Sequence, residues 1–240
     1  MANCITKHIP NTLTCCNLLS GCMAVIAAFN CDAWHTLLWV IAGAAFDFCD
    51  GFSARLFKAY SPLGKELDSL ADLITFGLSP AVLCWRTLQG FDYPCARMAA
   101  IFPYIAFILA AFAALRLAKF NIDDRQTTSF LGLAVPANAL FWCGLFQLDF
   151  WQDFAGAPYV IAALAVIFAF LMTSDIPMFS FKFKNLSWSQ NRVRFIFLAV
   201  AAAILIVSGI LCEGDVPARK GLGIVMLWYI LLSLLTKGQF

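Results

Sequence analysis

The chain has 240 residues, of which 62% are hydrophobic and 12% are charged. Soluble domains are roughly 45–50% apolar and about 25% charged, so a compact soluble domain of this size could not bury so many apolar side chains. The 16 basic residues barely exceed the 14 acidic ones, which gives no electrostatic footprint for nucleic acid. The composition indicates an integral membrane protein and excludes a soluble enzyme or a nucleic-acid-binding module.

The cysteines and histidines do not indicate a disulfide framework or a zinc site. The 10 cysteines are scattered, almost all of them lie in apolar runs, and no two have C-x-x-C spacing. We therefore interpret them as small buried hydrophobes. His8 and His35 lie far apart in the sequence and form no ligand cluster.

Eight apolar runs have about the 20 residues that a membrane-spanning helix needs. Turn or charge signals such as residues 30–32, 60–64 and 213–217 separate them. We expect the first run to be retained as a span rather than cleaved as a signal peptide. The sequence thus predicts an all-α, polytopic membrane helix bundle with about eight transmembrane helices, over residues 13–30, 34–56, 66–88, 95–119, 131–148, 156–174, 193–212 and 218–236.

The basic residues orient this bundle through the positive-inside rule. With a cytoplasmic N-terminus, the outer side holds Arg86, Arg97, Arg219 and Lys220. The cytoplasmic side then holds three times as many, namely Lys7, Arg55, Lys58, Lys65, Arg116, Lys119, Arg125, Lys182, Lys184, Arg192, Arg194 and Lys237. Both termini are therefore predicted to be cytoplasmic. The loop over residues 175–192, with its aromatic and basic residues, is predicted to lie on anionic lipid at the cytoplasmic surface.

Four aspartates lie in or beside apolar spans, where acidic side chains are costly and usually functional. Asp47 and Asp50 are near the end of the second span, and Asp68 and Asp72 are at the start of the third. Spacings of three or four residues place each pair on one helix face, and Ala54 continues the face of the first pair. Because a short turn joins the two spans, we expect all four carboxylates to converge at one membrane boundary.

Four converging carboxylates repel one another unless a cation compensates them. Hard divalent cations such as Mg²⁺ or Mn²⁺ suit a site of oxygen ligands that also binds phosphate. Gly51 leaves room for a ligand beside the helix backbone, and Arg55 offers a planar fork for phosphate. The pattern predicts a two-metal site for phosphoryl or phosphatidyl transfer.

Two other interpretations of the aspartates fit the sequence less well. The aspartates could be purely structural, as helix caps or partners of lysines, but four acids in register with Gly51, Arg55 and Gly64 fit that poorly. A cation-coupled transporter would spread its acids over several helices near the bilayer midplane, beside broken helices, rather than at one interface.

The spacing of these residues resembles the complete signature of the CDP-alcohol phosphatidyltransferases, with acids and small residues from Asp47 to Arg55 and from Gly64 to Asp72. The resemblance implies a homodimer, a CDP-linked lipid donor and two metal ions held by Asp47, Asp50, Asp68 and Asp72. It also implies that Asp72 is the base that deprotonates the acceptor alcohol. The positions implied to border the CDP-lipid are Asn11, Thr14, Gly51, Ala54, Arg55 and Gly64.

The stretches over residues 64–77, 115–121 and 132–137 further resemble the bacterial phosphatidylserine synthase branch of that family. Ala134 departs from the branch's usual Gly-Leu-Pro-x-Pro pattern. The resemblance implies that CDP-diacylglycerol and L-serine yield phosphatidylserine and CMP, at the cytoplasmic face of a bacterial inner membrane. A sibling transferase with glycerol 3-phosphate or another alcohol as acceptor remains the alternative. The implied organisation is a catalytic core over residues 1–174, the loop over 175–192 and two further helices over 193–240.

Serine carries a carboxylate, and a cationic side chain is the simplest group that can bind it. The candidates at the cytoplasmic end of the fourth span, for serine or for a donor phosphate, are Arg116, Lys119, Asn121 and Arg125. Arg116 precedes the end of its span by about a turn, so we expect it to point into the bundle. The other interpretation is that these cations reach out to the lipid headgroups and only contribute to the excess of basic residues on the cytoplasmic side.

Overall fold

The structure, a computed structural model, describes residues 8–122, 130–148, 151, 154–178, 188–211 and 218–236. The α-helices are α1 Ile9–Phe29, α2 Ala33–Phe57, α3 Pro62–Asp72, α4 Ser79–Gln89, α5 Ala96–Ile101, α6 Ile108–Ile122, α7 Val135–Leu145, α8 Ala157–Thr173, α9 Trp188–Leu211 and α10 Ala218–Thr236. A π-helical turn, Leu73–Leu78, joins α3 to α4, and a 3-10 turn, Phe102–Phe107, joins α5 to α6. The described residues therefore form eight continuous helices, which confirms the predicted all-α fold.

Short turns with identifiable caps connect the first three helices. Asp32 accepts a hydrogen bond from the His35 amide at 2.9 Å and starts α2. Lys58, in the left-handed region at φ 52°, ends α2, and Ser61 starts α3 by accepting from the Gly64 amide at 2.9 Å. Because α1 and α2 pack side by side across a three-residue turn, the start of α1, the end of α2 and the start of α3 lie at one end of the bundle.

Five of the helices are long and apolar enough to cross a membrane, judged by length and composition. They cover residues 9–29, 33–57, 62–89, 96–122 and 192–210. Large apolar side chains also face outward, among them Phe48, which is 68% exposed, and Ile122, which is 83% exposed. Exposed apolar side chains on this scale suit lipid rather than water. These features fit a multi-pass membrane protein.

The predicted span over 131–148 contains a helix of only 11 residues, α7. Gly132 has φ +74°, and the adjoining strand β1, Phe130–Leu131, pairs antiparallel with β2, Pro177–Met178. A Cβ atom on Gly132 would lie 2.4 Å from the Met172 carbonyl oxygen, so the close approach of the backbone at residue 132 to the end of α8 requires glycine. The strand pair holds the chain extended until α7 begins.

The predicted loop over 175–192 is shorter than expected. Its first part contributes β2, and α9 begins within its last part, at Trp188. Residues 179–187 lie outside the described residues, as do Lys7, Arg125 and Lys237.

The core around α7 is aromatic. The rings of Phe141 and Phe168 stack with their centroids 4.1 Å apart, and Trp142 meets Phe168 edge to face. All three side chains are buried. On its other sides α7 contacts α2, α4 and α10, so it links the helices of the acidic residues to the last helix.

Candidate active site

The first half of α1 carries three polar side chains on one face, at residues 11, 14 and 17. The Thr14 hydroxyl donates to Asp50 Oδ2 at 2.6 Å. One turn further on, Asn17 Nδ2 donates to Asp72 Oδ1 at 3.0 Å. A single helix therefore holds a carboxylate of α2 and a carboxylate of α3.

Three of the four predicted aspartates form a compact cluster. Asp47, Asp50 and Asp68 each offer a carboxylate oxygen, and these oxygens lie within 4.8 Å of one another. Asp68 Oδ1 is buried without a hydrogen-bond partner. Between residues that the structure describes, no ion pair includes any of the three. Clustered carboxylates that have an orphaned buried oxygen and no ion-pair partner within the described part of the chain fit a divalent cation, which supplies the missing positive charge.

Asp72 lies beside this cluster but is held differently. It is the last residue of α3, is 9% exposed, and interacts electrostatically with Asp47 and Asp68. Its Oδ1 is the atom that accepts from Asn17, which leaves Oδ2 for another partner. The structure thus brings all four aspartates to one end of the bundle and places three of them within reach of one ion.

The π-helical turn follows Asp72 directly and packs closely against α1 and α2. A Cβ atom on Gly21 would lie 2.4 Å from Thr75 Oγ1, and one on Gly43 would lie 2.5 Å from Thr75 Cγ2. The Thr75 hydroxyl donates to the Asn17 carbonyl oxygen at 3.0 Å. Single π turns within α-helices are frequent at functional sites. Here the turn fixes Asn17, and through Asn17 the carboxylate of Asp72.

A cavity of about 200 Å³ opens beside the aspartate cluster. Its lining contains five of the six residues expected to border a CDP-lipid, namely Asn11, Thr14, Gly51, Ala54 and Gly64. Asp50 and Asp68 also line it, so a ligand in the cavity would touch the cluster. The sixth residue, Arg55, is exposed and is not part of the lining.

The glycines of this cavity differ in what surrounds them. A Cβ atom on Gly64 would lie 3.0 Å from Asn11 Oδ1 and Ser61 Oγ, which is tight. A Cβ atom on Gly51 would meet only Arg55 Nη1, at 3.8 Å. Protein packing therefore does not require glycine at position 51, and its missing side chain enlarges the cavity.

Arg116 points into the bundle. Its side chain is 7% exposed, and Nε and Nη2 are buried without a hydrogen-bond partner. The guanidinium lies over the Phe120 ring, 5.3 Å from its centroid, and interacts electrostatically with Asp72. A buried cation with two unused donors is costly unless an anion binds it.

The other candidates for serine or phosphate are already engaged. Lys119 Nζ forms an ion pair with Asp175 at 3.0 Å and donates to the Thr173 carbonyl oxygen at 3.3 Å. Asn121 Nδ2 donates to Ser69 Oγ at 2.8 Å, and its carbonyl oxygen accepts from Lys65 Nζ at 2.7 Å. Arg125 lies outside the described residues. The described part of the site therefore favours Arg116 as the anion-binding residue.

Sequence reasoning missed Asn17. The spacing of Asn11, Thr14 and Asn17, three residues apart in an apolar run, could have placed Asn17 on the same helix face as the two predicted site residues. What the sequence did not indicate is the partner of Asn17, which lies 55 residues away.

Comparison with known proteins agrees with this geometry. The family model for CDP-alcohol phosphatidyltransferases matches residues 7–207. The chain is 31% identical, over 73% of its length and 92% of the relative, to the CDP-diacylglycerol–serine O-phosphatidyltransferase of Bacillus subtilis. It is 29% identical to that of Helicobacter pylori, over 82% of the chain and 81% of the relative. It is 31% identical to that of Methanocaldococcus jannaschii, over 70% of the chain and 72% of the relative. The chain belongs to the CDP-alcohol phosphatidyltransferase family, as its aspartate signature predicted.

Proposed function

We propose that the protein transfers the phosphatidyl group of CDP-diacylglycerol to L-serine and releases CMP. The observation that carries the proposal is the aspartate cluster beside a cavity lined by the signature residues. The relatives named as serine transferases support serine as the acceptor. We further propose that the enzyme is a homodimer of the bacterial inner membrane, with this site and both termini on the cytoplasmic side.

The cluster of Asp47, Asp50 and Asp68, together with Asp72, would hold two divalent cations, Mg²⁺ or Mn²⁺. Bound there, such ions neutralise the pyrophosphate and stabilise the charge of the departing CMP. The residues of the neighbouring cavity bind the CDP moiety, with Gly51 and Ala54 leaving space and Asn11 offering polar contacts. Arg55 lies outside the cavity lining, where its fork can reach a phosphate at the entrance.

Asp72 is placed to act as the general base. Its Oδ2 accepts the proton of the serine hydroxyl as the serine oxygen attacks the phosphorus bonded to the diacylglycerol. The bond between this phosphorus and the oxygen bridging it to CMP breaks, and CMP leaves with the electron pair. Asn17 holds Oδ1 throughout, so it acts as a positioning residue for the base.

Arg116 binds the carboxylate of serine in this proposal. It interacts electrostatically with Asp72, the proposed base, and does not line the cavity of the donor. Its two unused donors give a charge-assisted contact that an acceptor without an anionic group could not form.

An acceptor panel tests the proposal. Purified protein is given CDP-diacylglycerol and Mn²⁺ with L-serine, glycerol 3-phosphate or inositol, and CMP release is followed. We expect serine to give the highest kcat/KM and its lipid product to be phosphatidylserine. An Asp68→Asn variant, which keeps the shape of the side chain, serves as the inactive control. Preferential use of glycerol 3-phosphate would contradict the proposal and favour the sibling transferase.

A further inference from the structure

A second cavity, of about 360 Å³, lies at the end of the bundle opposite the aspartate cluster. It opens between the turn that joins α1 to α2, the end of α4 and the end of α7, and we call it the distal cavity. The helix α1, whose Thr14 holds Asp50, ends beside it, and the 21 residues of α1 span about 30 Å. That length is close to the thickness of the hydrocarbon core of a bilayer, as expected for two sites at opposite membrane boundaries.

The lining of the distal cavity combines one cationic side chain with apolar ones. The cationic side chain is Arg86, which is half-buried. The large apolar side chains of the lining are Leu83, Phe91, Phe146, Leu148 and Trp151. A cavity with a single charged group among apolar and aromatic side chains suits an amphiphile, because the charge fixes the polar end of the ligand and the apolar walls cover the rest.

Neutral groups hold Arg86 in place. Its Nε donates to the Phe29 carbonyl oxygen at 2.9 Å, and its Nη1 donates to Gln89 Oε1 at 2.7 Å. The guanidinium carbon also lies 5.9 Å from the centroid of the Trp85 ring. Among the residues that the structure describes, Nη2 meets no hydrogen-bond acceptor and no ion pair includes Arg86. The side chain is therefore oriented, while its charge and one of its nitrogens stay available to an anion.

The carboxylate in the neighbouring turn is already engaged. Asp32 follows Cys31 and precedes Ala33, both of which line the distal cavity. Its Oδ2 lies 2.6 Å from His35 Nδ1, and its Oδ1 accepts from the His35 amide at 2.9 Å. Asp32 thus caps α2 and pairs with His35 rather than with Arg86.

We propose that the distal cavity binds the headgroup of an anionic phospholipid, with Arg86 Nη2 donating to a phosphate oxygen. The position at a membrane boundary favours a phospholipid over free phosphate, because lipid phosphates are concentrated there and the apolar lining covers the glycerol and the first acyl carbons. This site is separate from the cavity beside the aspartates, and its occupation does not depend on which alcohol is the acceptor.

Cys31 provides the assay, because its thiol is exposed and the residue lines the distal cavity. The full chain in dodecyl maltoside, which contains no phosphate, is reacted with N-ethylmaleimide, and the labelling rate of each cysteine is measured by mass spectrometry. We expect short-chain phosphatidylglycerol at ten times its dissociation constant to slow the labelling of Cys31 about 10-fold. Cys95 is exposed at the same end of the bundle and does not line the cavity, so its rate should stay within about twofold.

Three other ligands define which part of the lipid is recognised. Diacylglycerol with the same chains lacks the phosphate, phosphatidylcholine carries a compensating ammonium, and inorganic phosphate lacks the apolar part. Each should protect Cys31 much less than phosphatidylglycerol at the same concentration. Equal protection by diacylglycerol or phosphatidylcholine would overturn the assignment of an anionic headgroup, and equal protection by inorganic phosphate would overturn the assignment of a lipid. Absence of protection by phosphatidylglycerol would overturn the site itself.

Arg86→Gln tests the residue that carries the charge. We expect the phosphatidylglycerol concentration that gives half-maximal protection of Cys31 to rise about 10–100-fold, as for loss of a hydrogen bond to a charged group. Arg97→Gln is the matched control, because Arg97 is exposed on α5 and does not line the cavity, and it should keep the wild-type value. Undiminished protection in Arg86→Gln would contradict the proposal. If loss of the contact to Phe29 unfolds this variant, the comparison of headgroups on the wild-type chain still decides the question.

Discussion

Thr14→Val tests how α1 supports the metal site. The Thr14 hydroxyl has one proton and two acceptors within reach, Asp50 Oδ2 at 2.6 Å and the Pro10 carbonyl oxygen at 3.0 Å. The shorter contact to a charged group takes the proton. Valine has nearly the shape of threonine, so the substitution removes this hydrogen bond from Asp50 and leaves the packing of α1 almost unchanged.

A hydrogen bond to a charged group contributes about 1.5–3 kcal/mol, which corresponds to roughly 10–150-fold in an equilibrium constant. Loss of this orienting contact should therefore raise the Mn²⁺ concentration that gives half-maximal CMP release by about that factor, in line with other residues that support metal ligands. The measurement is a Mn²⁺ titration at saturating CDP-diacylglycerol and serine, paired with Mn²⁺ binding followed by electron paramagnetic resonance.

Thr12→Val is the matched control for this substitution. Thr12 lies on the exposed side of the same helix, and its hydroxyl donates to the His8 carbonyl oxygen at 3.1 Å. The control should keep the wild-type Mn²⁺ dependence. An unchanged Mn²⁺ dependence in Thr14→Val, with a raised KM for the donor, would show that Thr14 contacts the nucleotide rather than supporting Asp50. If neither quantity changes, the hydrogen bond to Asp50 has no part in the reaction.

Three further outcomes follow from the site. Chelation by EDTA should abolish CMP release, and added Mg²⁺ or Mn²⁺ should restore it; full activity in a metal-free preparation would contradict the metal site. Asp72→Asn should lower kcat by about 10²–10⁴-fold with little change in donor binding, as expected for loss of a general base; collapse of donor binding with a normal rate per bound complex would make Asp72 chiefly a metal ligand. Gly51→Val should raise the donor KM without lowering thermal stability, because its side chain meets cavity rather than protein. Gly21→Val, whose Cβ would overlap Thr75, should lower stability instead, and equal stability losses would refute this distinction.

The elements that were predictable from the sequence are those set by local pattern. The apolar runs predicted the eight helices, since a span of about 20 apolar residues needs no knowledge of its neighbours. The spacing of Asp47, Asp50, Asp68 and Asp72 predicted their convergence, because a helix face and a short turn are both local properties.

The features that the sequence did not predict depend on contacts between distant parts of the chain. The strand pair that shortens the fifth predicted span joins residues near 130 to residues near 177. The pairing of Asn17 with Asp72 requires packed helices. Likewise, no local pattern predicts that Asp175 forms an ion pair with Lys119. Nor does one predict that Nε and Nη2 of Arg116 are buried without a hydrogen-bond partner.

In the proposed reaction, the phosphorus bonded to the diacylglycerol moves to serine at the aspartate site. The most direct measurement uses CDP-diacylglycerol labelled with ³²P at that phosphorus, together with L-serine and Mn²⁺, and follows the label in lipid and nucleotide products. We expect all transferred label to appear in phosphatidylserine, with one unlabelled CMP released for each phosphatidylserine formed, and we expect Asp68→Asn to form neither product. Label that stays with the nucleotide, or that appears in phosphatidic acid rather than phosphatidylserine, would contradict phosphatidyl transfer to serine.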